Sequence, residues 1–574
     1  MTAIVQATSL EPAPPRNVTP PAGYWQREAS HYPQPLTPAF RMYPQWGTAI
    51  WRQVIAENGM MMDGIDFVEI GGLVYQRIVP IGGKDRTPPP PLLMKLIVRL
   101  PPFRARVNAC AEAARSDIIG RTVETWYNTW RGEQAAAIAK YRGLDLASLS
   151  DAELDTHLGA AMDFARASLL THYRLTASAQ TIAELVFFLE EVLQWDERRA
   201  FTLMSGLSKF STTPAEKLAD LAAMARTRPA VRALLERRDG STAVELATVD
   251  PEFAAAFEAY QDEFGCRALR YEVCDPTLEE VPDLTLGLIR DQLARAYDPK
   301  AEADKLSSQR TEAMDAARAE LLQHPEVQRA EFERLLDRVT RCYPVREENE
   351  FYTVSAPLAL LRYAMLEVGT RLERAGSIAS RDDVFFLTAE EQRATLASHS
   401  DRHALVSERR AERDRLIAAP PVLTYGKEAP PPPSYTVFPK DAGANLRAVF
   451  WVADRIFGAD MKDQAATATV LKGVGAAPGS YTGPVRIIRD ETEFEKIRAG
   501  DVLVCPVTSP VWSIIFPSVG ALVTNTGGIL SHPAIIAREY RVPAVVATSN
   551  ATEVLRDGQV VTVDGQAGIV TVSA

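Results

Sequence analysis

The sequence predicts a multidomain α+β protein, with a large and mostly helical domain followed by a smaller C-terminal α/β domain. Three observations carry that expectation. The chain has 574 residues with 46% hydrophobic and 24% charged content, enough for several cores of ordinary globular composition. Between about residues 101 and 418, apolar residues recur at three- and four-residue steps with charges between them, the mark of amphipathic helices. From Val470 onward the pattern changes to short β runs separated by Gly and Pro turns.

Taken in order, residues 1–20 are rich in Pro, Ala and Thr and read as a disordered tail. They have neither a basic leader nor an apolar run, so they are not read as a secretory signal. Residues 21–418 form the helical domain, with a mixed N-terminal part. That part holds the aromatic, proline-rich text GYWQREASHYPQPLTPAF and the strand-like run FVEIGGLVYQRIV. ELVFFLEEVLQWDERRAFTLM and PLALLRYAMLEVGTRLERAG carry the clearest helical period. Ser150, Thr213 with Pro214, and Asp250 with Pro251 mark expected helix starts, and Gly376 an expected C-terminal cap. Residues 419–469 contain four consecutive prolines at 430–433 and are expected to be a semi-rigid linker ending in a short helix. A partner-binding proline motif is the other reading of that run. Residues 470–574 form the compact α/β domain, with one helix starting near His532.

Composition removes several function classes. The formal net charge is -11, which suits neither nucleic acid nor an anionic membrane as partner. No run of 18 apolar residues appears, so no transmembrane helix is expected. The five cysteines are odd in number, scattered and without a CxxC pair. That argues against a disulfide framework and a zinc site and for a reduced, cytoplasmic setting. No metal ligand set is expected on this chain.

The segment most suited to chemistry is GALVTNTGGILSHPAIIAREYRVPAVVAT, residues 520–548. A buried-type strand leads into Thr526-Gly527-Gly528, then Ser531-His532-Pro533, then a helical run and a second strand. The glycines permit a tight turn and close approach of backbone N–H groups to a ligand. Pro533 fits the first helical turn and places His532 at or next to the helix N-cap. A helix N-terminus attracts an anion, at about 0.3–1 kcal/mol and more when partly buried. A neutral imidazole can attack phosphorus and later leave it. Ser531 and Thr526 could add hydroxyl donors. These residues alone fit equally well a histidine that only caps a helix.

This segment closely resembles the swivelling phosphohistidine domain of the phosphoenolpyruvate-utilising enzymes. Their motif T-x-G-G-x-x-S/C/T-H-x-A-I-x-A-R-E, followed by I/V-P-A-V-V, is met by Thr526, Gly527, Gly528, Ser531, His532, Ala534, Ile535, Ala537, Arg538, Glu539, Pro543, Ala544, Val545 and Val546. LKGVGAAPGSYTGPVRI resembles the domain's opening, with Ala477 where Ser is usual, and VCPVTSPVWSIIF its T-x-P-x-W segment. The resemblance implies that His532 is phosphorylated and that Thr526, Gly527, Gly528 and Ser531 help to hold the phosphate.

The helical region is similar to the substrate domain of the rifampicin phosphotransferases. WQREASHYPQPLTP, YQDEFGCRALRYEVCDPTLEE and REENEFYTVSAPLALLRYAMLEVGTRLERAGSIASRDDVFFLTAEE carry the likeness in order. In that branch an ATP-grasp domain comes first, and no glycine-rich phosphate loop precedes the helical region here. The expectation is therefore a separate ATP-grasp subunit that holds ATP and Mg²⁺, as in the phenylphosphate synthases, whose large subunits resemble this architecture. That likeness implies a phenol or related small alcohol as acceptor. Arg346 and Arg267 are candidate phosphate grips, Glu347 a candidate base and His31 a candidate residue of the acceptor pocket. A structural ion pair is the other reading of each arginine, and a structural carboxylate that of Glu347. Two departures stand out: Gly265-Cys266-Arg267 replaces a G-H-R, and Glu350 stands where the rifampicin branch has a second basic residue. An antibiotic-inactivating phosphotransferase and a non-catalytic phosphocarrier or regulatory subunit are the alternatives.

Overall fold

The computed structural model describes residues 19–237, 242–294, 298–419, 422–457 and 470–573. The tail expected over 1–20 lies outside them except for its last two residues, as do 420–421 and 458–469 of the expected linker. The chain forms two compact units. The first comprises residues 1–177, 270–276 and 349–447, and the second 178–269, 277–348 and 448–574. The helical domain expected as one body over 21–418 is thus divided. Its helices bury their apolar faces in separate cores, and an amphipathic face does not state which core it joins.

In the first unit, strands β1 (Trp25–Arg27), β2 (Gly64–Ile70), β3 (Leu73–Val79) and β4 (Thr424–Tyr425) form a sheet in the order β2-β3-β1-β4. Gly71 and Gly72 turn the β2–β3 hairpin with φ of 58° and 86°. Both values are left-handed, which is why the two-residue turn takes two glycines. Strand β4 lies within the expected linker. The chain after 421 pairs with β1, and the Tyr75 hydroxyl donates to the Val422 carbonyl at 2.6 Å. Beside the sheet, the helices Asp151–Thr176 and Ala356–Arg374 bury Leu158, Met162, Leu361 and Met365 in one core. Ser150 starts the first helix with a capping box to Glu153. Gly376, at φ 71°, ends the second, where the Ser377 N–H donates to the Leu372 carbonyl.

In the second unit, Asp250 caps the helix Pro251–Phe264 by accepting the Phe253 N–H. The start expected at Thr213 is not one: Pro214 lies inside the helix Lys209–Arg226. Thr212 and Thr213 both donate to the Lys209 carbonyl one turn back, so the helix is already formed there. The sheet of this unit has eight strands: β5 (Val470–Lys472), β6 (Val474–Ala477), β7 (Ser480–Ile487), β8 (Val502–Cys505), β9 (Ala521–Thr524), β10 (Ala544–Val546), β11 (Val560–Asp564) and β12 (Ile569–Val572). Their order is β5-β12-β11-β7-β8-β9-β10-β6. The central pairs β7–β8, β8–β9 and β9–β10 are parallel. β8, β9 and β10 are buried along their whole length, as strands in the middle of a covered parallel sheet are. The helix His532–Glu539 is the crossover between β9 and β10, so its N-terminus lies beyond the carboxyl end of β9.

Candidate active site at a helix N-terminus

Ser531 is the N-cap of the helix His532–Glu539, His532 its first residue and Pro533 its second. The loop ahead of it is tightly built. Gly527 has φ 109°, and a Cβ there would meet Ser531 Oγ at 2.9 Å. Ser531 Oγ donates to the Gly528 carbonyl at 2.6 Å, and Thr526 Oγ1 to the Pro506 carbonyl at 3.2 Å. Both hydroxyls expected to hold phosphate therefore shape the loop in this conformation. Arg538, on the last turn, ties the loop from the other side. Its Nη1 donates to the Ile529 carbonyl at 2.8 Å and to the Ala476 carbonyl of β6 at 3.0 Å.

His532 Nδ1 lies 2.9 Å from Glu347 Oε2. The two side chains are only 16% and 13% exposed, so water screens the pair weakly. An ionised carboxylate only accepts, which places the proton on Nδ1 and the lone pair on Nε2. Nε2 is buried and has no hydrogen-bond partner among the described residues. In this conformation Glu347 is thus engaged with the histidine.

Arg346 adjoins this pair, and its Nη2 donates to the Leu530 carbonyl at 3.1 Å. Burial pushes the Arg346 guanidinium below its ordinary value, while Glu347 and Tyr343 oppose that shift. Burial also pushes the Tyr343 phenol up to about 12 and the Glu539 carboxyl up to about 7. Glu539 accepts N–H groups of Ser208 and Gly206 and feels Arg538 and Glu347. Tyr343, Arg538 and Glu539 were not singled out from sequence. Arg538 and Glu539 stand in the motif quoted above, and that was the available signal; Tyr343 offered none.

The structure brings His532, Glu347, Arg346 and the 526–531 loop together within the second unit. Arg267 is buried in the same unit, its guanidinium 5.2 Å from the Phe210 ring and 5.7 Å from the Phe264 ring. Cys266 beside it is fully buried. His31 belongs to the first unit. Among the described residues no group of three or more His, Cys, Asp or Glu side chains could hold a metal, and no helix is long and apolar enough to cross a membrane.

Residues 497–568, which include His532, match the mobile domain of the phosphoenolpyruvate-utilising enzymes. That stretch is similar to the family's mobile domain. Residues 171–347 match the fourth domain of rifampicin phosphotransferase, a match that ends on Glu347. The two matched regions thus each supply one partner of the His532–Glu347 pair. Among curated relatives, the chain is 33% identical over 314 residues to the uncharacterized phosphotransferase YvkC of Bacillus subtilis, covering 54% of this chain and 36% of that one. It is 29% identical over 444 residues to a rifampicin phosphotransferase of a Streptomyces species, covering 73% and 48%. It is 46% identical over 111 residues to a probable phosphoenolpyruvate synthase of Archaeoglobus fulgidus, covering 19% and 15%. The chain therefore spans less than half the length of each of these relatives.

Proposed function

We propose that the protein is a phosphotransferase that carries a phosphoryl group on His532 and passes it to the hydroxyl of a phenol or related small alcohol. The observation that carries this reading is the His532–Glu347 pair, 2.9 Å apart, within a family-matched loop at a helix N-terminus. With Nδ1–H held by Glu347, Nε2 has the free electron pair and attacks phosphorus. The N–P bond forms as the donor's P–O bond breaks. In the second half, the acceptor oxygen attacks and the N–P bond breaks. Arg346 and the helix N-terminus supply positive potential where charge gathers on the phosphoryl oxygens, the main requirement of such transfer. Gly527, Gly528, Ser531 and Thr526 shape the loop that presents the histidine. Arg267 keeps its proposed role as a second phosphate grip.

In this reading the phosphoryl donor is Mg-ATP bound on a separate ATP-grasp subunit; both bridging P–O bonds at the β-phosphorus break and one water is consumed, so AMP and inorganic phosphate leave while the β-phosphoryl stays on the histidine. The C-terminal domain swivels between donor and acceptor. Similarity to the rifampicin phosphotransferases over 73% of this chain supports a second reading, in which the acceptor is a bulky antibiotic hydroxyl. The test is incubation with ATP labelled at the β-phosphate, with and without lysate of the native host. An acid-labile, base-stable label is expected on the wild type and none on His532→Ala. Equal labelling of the variant refutes the assignment.

A further inference from the structure

The first unit carries a patch whose charge opposes that of the chain as a whole. Residues 86–111 contain five basic residues, Arg86, Lys95, Arg99, Arg104 and Arg106, and no Asp or Glu, in a protein of net charge -11. Prolines frame the stretch. Pro90 is the N-cap of the short helix Pro91–Ile97, and Pro101 opens the next helix, Pro101–Arg115. The short helix is held to its unit by one narrow stripe. Met94 and Val98, one turn apart, are buried with Val107, Cys110 and Val437.

Away from that stripe the apolar side chains face water. Leu92, Leu93, Leu96 and Leu100 are 80%, 48%, 60% and 54% exposed. Leu92 and Leu96 are neighbours on one helix face. Leu100 follows in the turn after the helix, where its N–H donates to the Ile97 carbonyl at 2.9 Å. Lys84, Arg86, Lys95, Arg99 and Arg104 alternate with these leucines or flank them in the chain. All five are exposed and make no ion pair with any described residue. The acids next along the chain are engaged elsewhere, Asp85 at 3.4 Å from Arg77 and Glu112 at 3.0 Å from Arg115.

Four large apolar side chains side by side in water mark a surface that something covers. The charges between them say what kind. The core of a protein interface is poor in Lys, and each cation buried there needs a carboxylate opposite. Here Lys95 stands between Leu93 and Leu96, and Arg99 between Leu96 and Leu100. At a lipid surface that alternation costs little, because Lys and Arg stems lie along the apolar boundary while their heads reach phosphates. We propose that this face docks on an anionic lipid surface, with the four leucines at the boundary of headgroups and acyl chains and the five exposed cations on lipid phosphates. The net charge of -11, which argued against such a partner, is an average that this stretch does not share. A helix of seven residues cannot span a bilayer, so the contact is peripheral and reversible. The inference is independent of the phosphotransferase reading.

The test is co-sedimentation of the full chain with vesicles of phosphatidylcholine containing about one-third phosphatidylglycerol. Wild type is expected to bind them, and to bind pure phosphatidylcholine at least about tenfold more weakly. The double variants Leu92→Ser with Leu96→Ser, and Lys95→Glu with Arg99→Glu, should each lower the partition coefficient on the anionic vesicles by at least about tenfold. Raising salt from about 0.1 to 1 M, which shortens the screening length from about 10 to 3 Å, should weaken wild-type binding as well. Both variants are expected to melt with wild type, since the replaced side chains are exposed. No binding to anionic vesicles, equal binding to neutral ones, or binding unchanged in either double variant overturns the proposal. Analytical ultracentrifugation without lipid should give the same sedimentation for wild type and Leu92→Ser with Leu96→Ser. A wild-type dimer that this variant dissociates would place a second copy on the face and overturn the lipid assignment.

Discussion

Replacing Glu347 tests the site where its geometry is most specific. The contact is one hydrogen bond of 2.9 Å between groups that are 16% and 13% exposed, so it is charge-assisted and weakly screened. Such bonds contribute about 1.5–3 kcal/mol. If Glu347 holds the tautomer that exposes the Nε2 pair, that energy appears in the barrier to phosphorylation. Glu347→Ala should then slow N–P bond formation by about 10- to 150-fold. Glu347→Gln keeps a carbonyl acceptor for Nδ1–H but loses the charge, and should slow it by only about 5- to 10-fold. The assay is the rate of ³¹P signal growth at the phosphohistidine position with phosphoramidate as donor, which needs neither ATP nor a partner. Thermal melts of each variant separate a chemical effect from a folding one. Because Nε2 is buried in this arrangement, the pair could instead act as a clamp that withholds the histidine. A clamp predicts the opposite sign, so faster loading in Glu347→Ala, or a rate within twofold of wild type, refutes the positioning argument.

Three further outcomes follow from the same site. Gly527→Ala should lower stability by about 1–3 kcal/mol in denaturant titration and impair loading, since φ is 109° and the new Cβ would lie 2.9 Å from Ser531 Oγ. Arg346→Ala should shorten the lifetime of phosphorylated His532, read as loss of the ³¹P signal after donor removal, because the guanidinium also anchors the Leu530 carbonyl at 3.1 Å. Glu539 sets a pH dependence. Burial raises its carboxyl from 4.5 to about 7, so between those values the folded protein binds more protons than the unfolded one. Wild-type stability therefore falls, relative to Glu539→Gln, as pH rises through that window, by about 3 kcal/mol in total. Melting temperatures of both proteins between pH 4.5 and 7.5 check the sign, and parallel curves would contradict it.

What could be read from sequence was what is local along the chain. Gly527-Gly528, Ser531 and Pro533 lie within seven residues and specify a turn and a helix start, so the N-terminal placement of His532 follows from them. The caps at Ser150, Asp250 and Gly376 were legible for the same reason. Thr213-Pro214 misled because proline only disfavours an interior position. The buried face of the helix, with Ala215, Leu218 and Ala222 each fully enclosed, outweighs one lost hydrogen bond. The division into two units was not legible, since Leu185 and Leu361 belong to different cores yet both sit in helical text rich in apolar residues.

The partner of His532 lies 185 positions away, and no periodicity reports such a contact. Even naming Arg346 and Glu347 did not give their roles, because those depend on register. Neighbours on an α-helix point about 100° apart, so two adjacent polar residues cannot both face one atom. Here Arg346 takes the carbonyl of Leu530 and Glu347 the imidazole of His532, two residues further on. The splayed pair grips the loop at two points at once. Removing either side chain should therefore loosen the geometry on which the other acts, and their effects on loading should be less than additive in a double-mutant cycle.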